Sequence, residues 1–314
     1  MLLIGPTPLS GIGQSLLKYN LLFPDAKYIQ VYKDDIPVGH KVALIFALPT
    51  PEWLRIIPDI KSKCKKVICM TICETETVHE LYGELFKLFD RIAVHSEFCK
   101  RVFSRQFPDT EFVIMRAHVP CRTLSTITRD FGIPKDKYVF YHIGNIIDQR
   151  KNFKKILEAF LRLNLPDSFL VVKATCNREV QLRLPNVLLI NGLLPQSDLD
   201  SIHTLCDCYV SFSNSEGIGL GAVEAAVQNK PVIIPSYGGA TDYIKTPYLI
   251  DCDLQEVPND DFLFKKGMVW GRPNFDQLLG FMKDAYEKKL HFMDHSHTRS
   301  VVGPEEVQRT FALM

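Results

Sequence analysis

Ser213-Asn214-Ser215-Glu216-Gly217-Ile218-Gly219-Leu220-Gly221-Ala222-Val223-Glu224 is the stretch on which the fold turns. An apolar run over residues 208–212 precedes it, and a small-residue helical pattern over 220–228 follows. Strand, glycine-rich turn, helix is the mark of a parallel α/β unit, whose ligands sit at the carboxyl ends of strands. Glycines let a ligand approach the backbone, and N–H groups at a helix start favour an anion. The amides of Ile218, Gly219 and Leu220 are therefore expected to point at an anion. Glu224 lies about two helical turns past Glu216, which would set both carboxylates on one side of a cleft. Carboxylates beside an anion are electrostatically awkward unless they bind hydroxyls. A sugar and a ribose would satisfy them. The plain alternative makes Glu216 an N-cap and Glu224 a surface residue.

Outward from this stretch, short apolar runs alternate with helix-period segments. In the second half, strands are expected over 138–143, 169–173, 187–190 and 232–234, and helices over 152–163, 196–205 and 274–289. In the first half, strands are expected over 1–4, 27–32, 42–46, 66–70, 91–94 and 112–115, and helices over 13–22, 52–61, 78–89 and 97–105. Between 116 and 137 the periodicity breaks at Pro120, Gly132 and Pro134, which places a linker there. The expected domains are 1–125 and 126–299, with a polar tail ending in a helix over 304–313.

The 314 residues suit about two domains of ~150 residues each. Hydrophobic residues at 46% and charged residues at 23% fit a soluble globular chain. A formal net charge of +1 gives no general attraction to nucleic acid or anionic membranes. No apolar run approaches the ~20 residues of a membrane helix. The opening Met1-Leu2-Leu3-Ile4 lacks a basic flank and reads as a strand rather than a signal peptide. Nine cysteines without a Cys-x-x-Cys pair suit free thiols in a reducing cytosol, so a cytoplasmic protein is expected.

Three more loops follow expected strands. Residues 5–13 run Gly5-Pro6-Thr7-Pro8-Leu9-Ser10-Gly11-Ile12-Gly13, an anion-binding turn or a plain one. Its G-x-G-x-x-G pattern is incomplete, with Leu16 at the third glycine. Residues 144–152 place Arg150 and Lys151 at a helix start, against the dipole. A bound polyanion would remove that conflict; two solvated surface cations are the alternative. Residues 236–242 carry Gly238-Gly239. Asp251-Cys252-Asp253 has the spacing of a metal-holding Asp-x-Asp, but it follows the fourth loop, and no metal site is expected.

Together the last loops resemble the family 4 retaining glycosyltransferases of the GT-B fold. The family's E-x7-E stands here as Glu216-Gly217-Ile218-Gly219-Leu220 followed by Glu224-Ala225-Ala226. Lys230-Pro231-Val232-Ile233, Gly238-Gly239, Asn191-Gly192 and Arg150-Lys151-Asn152 resemble its neighbouring elements. Cys73-Glu74-Thr75 and Val94-His95-Ser96-Glu97-Phe98 resemble elements of one subgroup. The resemblance implies an α/β fold of two Rossmann-like domains facing a central cleft, an N-terminal acceptor domain and a C-terminal donor domain. It also implies that the tail from about residue 300 packs back on the first domain.

The implied activity is that of a retaining hexosyltransferase (EC 2.4 class). It would move a sugar from a UDP- or GDP-sugar to a hydroxyl of a glycan, glycoprotein or lipid-linked acceptor, with no cofactor and no divalent metal. Glu216 would contact donor-sugar hydroxyls and Glu224 the ribose. Lys151 sits at the family's diphosphate lysine. Where the family often has an arginine six residues earlier, this chain has Asn145. Lys151, Arg150 and the amides of Gly13, Gly219 and Leu220 would stabilise the leaving diphosphate. Ser213, Gly217 and Ile218 complete the donor side. His118, as a catalytic candidate, and Glu74 would line the acceptor side. A nucleic-acid partner is not expected, and peripheral membrane contact is left open. Three other readings stand beside this one: a sugar-nucleotide epimerase of the same shape, an NAD-dependent oxidoreductase using Gly11-Ile12-Gly13, and a non-catalytic sugar-nucleotide binder.

Overall fold

Short apolar segments that are buried on both faces build parallel sheets, because helices must cover each side. The computed structural model describes residues 1–7, 10–121, 127–176, 179–261 and 263–314. Pro8 and Leu9 of the first loop, and 122–126 of the expected linker, lie outside the described residues. The chain forms two units. One comprises Met1–Pro120, Glu256–Trp270 and Ser300–Met314; the other comprises Cys121–Gln255 and Gly271–Arg299.

The first unit opens with β1 (Leu2–Gly5), α1 (Gly11–Lys18), β2 (Lys27–Gln30), β3 (Ala43–Phe46) and α2 (Pro51–Lys63). It continues with β4 (Val67–Thr71), α3 (Leu81–Phe86), β5 (Arg91–Val94), α4 (Glu97–Gln106) and β6 (Phe112–Ile114). The strands pair in parallel in the order β2-β1-β3-β4-β5-β6. Every residue of β3 and β4 is buried. The helices begin at local signals. Ser10, Thr50 and Ser96 cap α1, α2 and α4, and Pro51 fills the first position of α2.

The second unit runs β7 (Tyr138–Gly144), α5 (Phe153–Leu163), β8 (Ser168–Ala174), β9 (Val187–Ile190) and α6 (Gln196–Leu205). Next come β10 (Cys208–Val210), α7 (Leu220–Val227), β11 (Val232–Pro235), α8 (Ala240–Tyr243) and β12 (Leu249–Ile250). Strand order is β12-β11-β10-β7-β8-β9. The chain moves outward from β7 to β9, then returns to β10 on the other side of β7. The reversal therefore falls between β7 and β10, where open parallel sheets bind ligands.

The rest of the chain was less visible in the sequence. β13 (Cys252–Glu256) and β14 (Val269–Pro273) form a separate two-stranded sheet. β13 has no buried residue, so no apolar run announced it. α9 (Phe275–Glu287) sets Leu278, Met282 and Ala285 against Phe153, Ile156 and Phe160. Glu256–Trp270 groups with the first unit, although sequence alone assigned it to the second. Its tie is the Glu76 N–H, which donates to the Val269 carbonyl at 2.8 Å. α10 (Ser296–Val302) and α11 (Pro304–Ala312) close the chain. Val307 joins Leu3, Leu16, Leu44 and Met70 in the first unit's core, and the Phe311 ring lies 4.6 Å from that of Phe23.

Candidate functional site

The loops after β7 and β10 flank the strand reversal, and their side chains meet there. Beyond Gly144 the chain makes a 3-10 turn over Gln149–Lys151, begun by Asp148, whose carboxylate accepts from the Arg150 N–H at 2.9 Å. Asn152 then takes a left-handed conformation (φ 51°) that redirects the chain into α5. From the other loop, Glu216 reaches this turn. Lys151 Nζ donates to both Glu216 oxygens at 2.7 Å. Ser213 Oγ donates to Glu216 at 2.7 Å, and Arg150 Nη1 lies 3.4 Å from it.

Arg150 is 9% exposed, so it is no solvated surface cation. Its guanidinium donates to the Ser215 carbonyl at 2.6 Å and pairs with Asp148 at 3.3 Å. Its own carbonyl accepts from the Asn214 N–H at 2.8 Å. The two loops thus clamp one another through main chain and side chain. Burial by itself would raise the Glu216 carboxyl. The adjacent Lys151 and Arg150 charges, with the hydrogen bonds from Lys151 and Ser213, outweigh burial and bring its pKa to about 2.

The fourth loop fixes Glu216 by its backbone. Gly239 N–H donates to the Glu216 carbonyl at 2.7 Å. Gly238 is left-handed (φ 93°), and a Cβ there would stand 2.7 Å from the Glu216 carbonyl oxygen and 3.1 Å from its nitrogen. Only glycine fits. Gly217 and Ile218 continue the turn, and Gly219 (φ 74°) begins α7 with no side-chain cap. This corrects the expectation of two acids on one helix. The left-handed Gly219 leaves Glu216 in the loop and puts only Glu224 on α7, half-buried. Both carboxylates still bear on one group. After burial, Glu216 and then Glu224 push the Tyr209 hydroxyl up, while its bond to the Ile143 carbonyl pulls it down.

Other expected residues have partners outside this set. Asn145 Oδ1 accepts from the Cys176 thiol at 3.2 Å and from the Ile147 N–H at 3.4 Å. Gly13, Glu74 and His118 belong to the first unit. The Gly13 N–H, expected to face an anion, donates to Ser10 Oγ at 3.0 Å in the cap of α1. Glu74 lies half-buried on the loop after β4. His118 is buried, with Nδ1 donating to the Val302 carbonyl at 2.9 Å, and burial lowers its pKa. That bond makes it a fastener between the segment after β6 and α10. Asp251 accepts from Gln277 at 2.7 Å, and Asp253 pairs with Arg272 at 3.0 Å.

Two buried residues escaped the sequence reading. His142, within β7, donates from Nδ1 to the Val210 carbonyl at 2.8 Å and so ties β7 to β10 at the reversal. Burial foremost, with Lys151 adding, brings its pKa to about 4 and keeps it neutral. Lys173, at the end of β8, donates to the Ala174 and Gly192 carbonyls at 2.8 and 2.7 Å. Each is a polar residue inside an apolar run, which is the signal that could have found them.

Comparison with known proteins meets this geometry at the same residues. Residues 125–251 match the family described as glycosyl transferases group 1. That segment holds Arg150, Lys151, Ser213, Glu216 and Glu224, and Asn145 as well. Solved structures agree on the fold. A sucrose-phosphate synthase from Thermosynechococcus elongatus aligns with a TM-score of 0.61 at 12% identity, covering 99% of this chain and 95% of that one. WaaG, a glycosyltransferase involved in lipopolysaccharide biosynthesis, aligns with a TM-score of 0.58 at 12% identity, covering 100% and 96%. TarM aligns with a TM-score of 0.60 at 12% identity over 87% of this chain. The chain spans 54% of the TarM structure and 59% of the GtfA/B structure. Two Rossmann-like domains with parallel sheets, as in these structures, make this a GT-B fold. No curated protein sequence matches the chain. Among the described residues no helix is long and apolar enough to cross a membrane.

Proposed function

We propose that the chain transfers a hexosyl group from a UDP- or GDP-sugar to a hydroxyl of a glycan, glycoprotein or lipid-linked acceptor, with retention and without a divalent metal. One observation carries this reading. Arg150, Lys151, Glu216 and Asp148 form a largely buried, charge-balanced cluster at a strand reversal, beside a helix whose glycine start has no side-chain cap. The diphosphate of the donor lies against Lys151, Arg150 and the first amides of α7. These groups stabilise the charge that grows on the leaving phosphate, the work a metal does elsewhere. Glu216, held ionised, accepts hydrogen bonds from donor-sugar hydroxyls, and Glu224 accepts from the ribose. The bond from the anomeric carbon to the phosphate oxygen breaks as the acceptor oxygen bonds on the same face. The acceptor's proton passes to the departing phosphate oxygen.

The nicotinamide reading has less support, because the Gly13 amide it needs is held by Ser10. A panel of nucleotide sugars, scored by thermal shift and slow hydrolysis, tests the donor class. Glu224→Ala should weaken nucleotide binding, whereas Glu216→Ala should keep binding and lose transfer. The reverse ranking would mean the two glutamates are assigned wrongly, and stabilisation by NAD alone would overturn the class.

A further inference from the structure

We propose that Cys73 and Cys99 of the first unit are a peroxide-reactive dithiol that closes to a disulfide and fixes the loop bearing Glu74. Cys73 lies just past β4 and Cys99 in the first turn of α4. Cys99 Sγ sits on the main chain of Cys73, 3.3 Å from its nitrogen and 3.4 Å from its carbonyl oxygen. Cys73 Sγ lies 4.0 Å from the Cys99 carbonyl oxygen. Each sulfur therefore rests against the other residue's backbone, which puts the two thiols in one buried neighbourhood.

The two thiols differ in character. Burial would raise the Cys99 thiol, but hydrogen bonds from the Cys73 thiol and N–H and from Ser96 outweigh it and hold it below the ordinary thiol range. Burial pushes Cys73 well up. Burial likewise raises Cys69, Cys206 and Cys208, which have no comparable set of donors. Cys99 is the thiolate-prone member and Cys73 the resolving one. Cys73 is 4% exposed and Cys99 is fully buried, so the reagent must be small. Residues 72–80 form no regular helix or strand, and local opening there admits a peroxide.

The chemistry balances with the peroxide as oxidant. The Cys99 thiolate attacks one peroxide oxygen; the O–O bond breaks, hydroxide leaves, and a sulfenic acid forms. Cys73 sulfur then attacks the Cys99 sulfur; the S–S bond forms, the S–O bond breaks, and water departs with the Cys73 proton. Two thiols and one hydrogen peroxide become one disulfide and two waters. The functional consequence, which rests on the proposed glycosyl transfer, is a several-fold loss of transfer with nucleotide affinity in the second unit unchanged.

The test treats the reduced full chain with hydrogen peroxide and maps peptides without reduction. Expected are a loss of two hydrogens, a Cys73–Cys99 linked peptide, and reversal by dithiothreitol. Cys73→Ser should leave a sulfenic acid on Cys99 that a cyclic diketone traps, and Cys99→Ser should leave none on Cys73. Linkage through other cysteines, no linked peptide at peroxide levels that oxidise Cys121, or trapping on Cys73 instead of Cys99 would overturn the pair. Peptide mapping decides this even if the chain transfers no sugar. A mapped disulfide with unchanged transfer would overturn the consequence for Glu74.

Discussion

The two units share one plan, a six-stranded parallel sheet that starts at an interior strand and reverses direction, yet their first strand-to-helix loops are opposites. After β1 the helix start is met from close by: Ser10 caps α1 by taking the Gly13 N–H. After β7 the side chains reach further. Lys151 finds its counter-charge in Glu216, from a loop more than sixty residues along the chain, and Arg150 divides its own between Glu216 and Asp148. A capped helix start has one donor fewer to offer a ligand. A loop that sets two cations against a remote carboxylate holds charge in reserve for one. Topology places both loops alike, and the side chains alone decide which becomes a site.

The comparison can be broken at several points. Glu216→Gln has the largest expected effect. It leaves Lys151 without its carboxylate partner and Arg150 with Asp148 alone, which costs about 3–5 kcal/mol in unfolding free energy. Transfer should also be lost, while nucleotide binding survives; denaturant titration and product assay read the two effects. Acid should reproduce part of this loss in the wild type. The Glu216 pKa of about 2 lies below its unfolded value of roughly 4.3. Its contribution, on the order of 3 kcal/mol, is complete above about pH 4.3 and disappears as pH falls toward 2. The stability gap between wild type and Glu216→Gln should therefore narrow over that window.

Gly238→Ala comes next. Its left-handed backbone and the nearby Glu216 carbonyl leave no room for a Cβ, so a loss of about 2–3 kcal/mol is expected by calorimetry. Gly11→Ala in the first unit meets nothing within 4 Å and should be neutral or slightly stabilising. Lys151→Met should weaken nucleoside-diphosphate binding by about 2 kcal/mol, measured by titration calorimetry. Ser10→Ala is the smallest test: a loss of about 1 kcal/mol in stability with nucleotide affinity unchanged.

The fold was legible because both sheets are buried on both faces, so their strands read as apolar runs separated by capped helices. β13 was not, because its residues face solvent and carry no such run. At the site, Lys151 and Glu216 could be nominated from glycine and charge patterns. Their direct bond could not, since it depends on tertiary closure between distant loops. The role of Gly238-Gly239 was hidden for the same reason. It supports Glu216 through backbone contact, and sequence shows glycine without showing what approaches it. His142 and Lys173 were missed because apolar neighbours concealed them.

One feature of the first unit bears on how the protein comes into being. Its sheet is encoded in the first 120 residues, but Val307 and Phe311, which seal its core beside Leu3 and Phe23, are encoded after the whole second unit. On the ribosome that core stays open until those residues emerge, and the early strands must wait for their last neighbours. Deleting 303–314 should therefore yield a chain whose second unit still melts cooperatively while the first exposes apolar surface to a dye. Quality control during translation would then act on the half of the molecule that was made first.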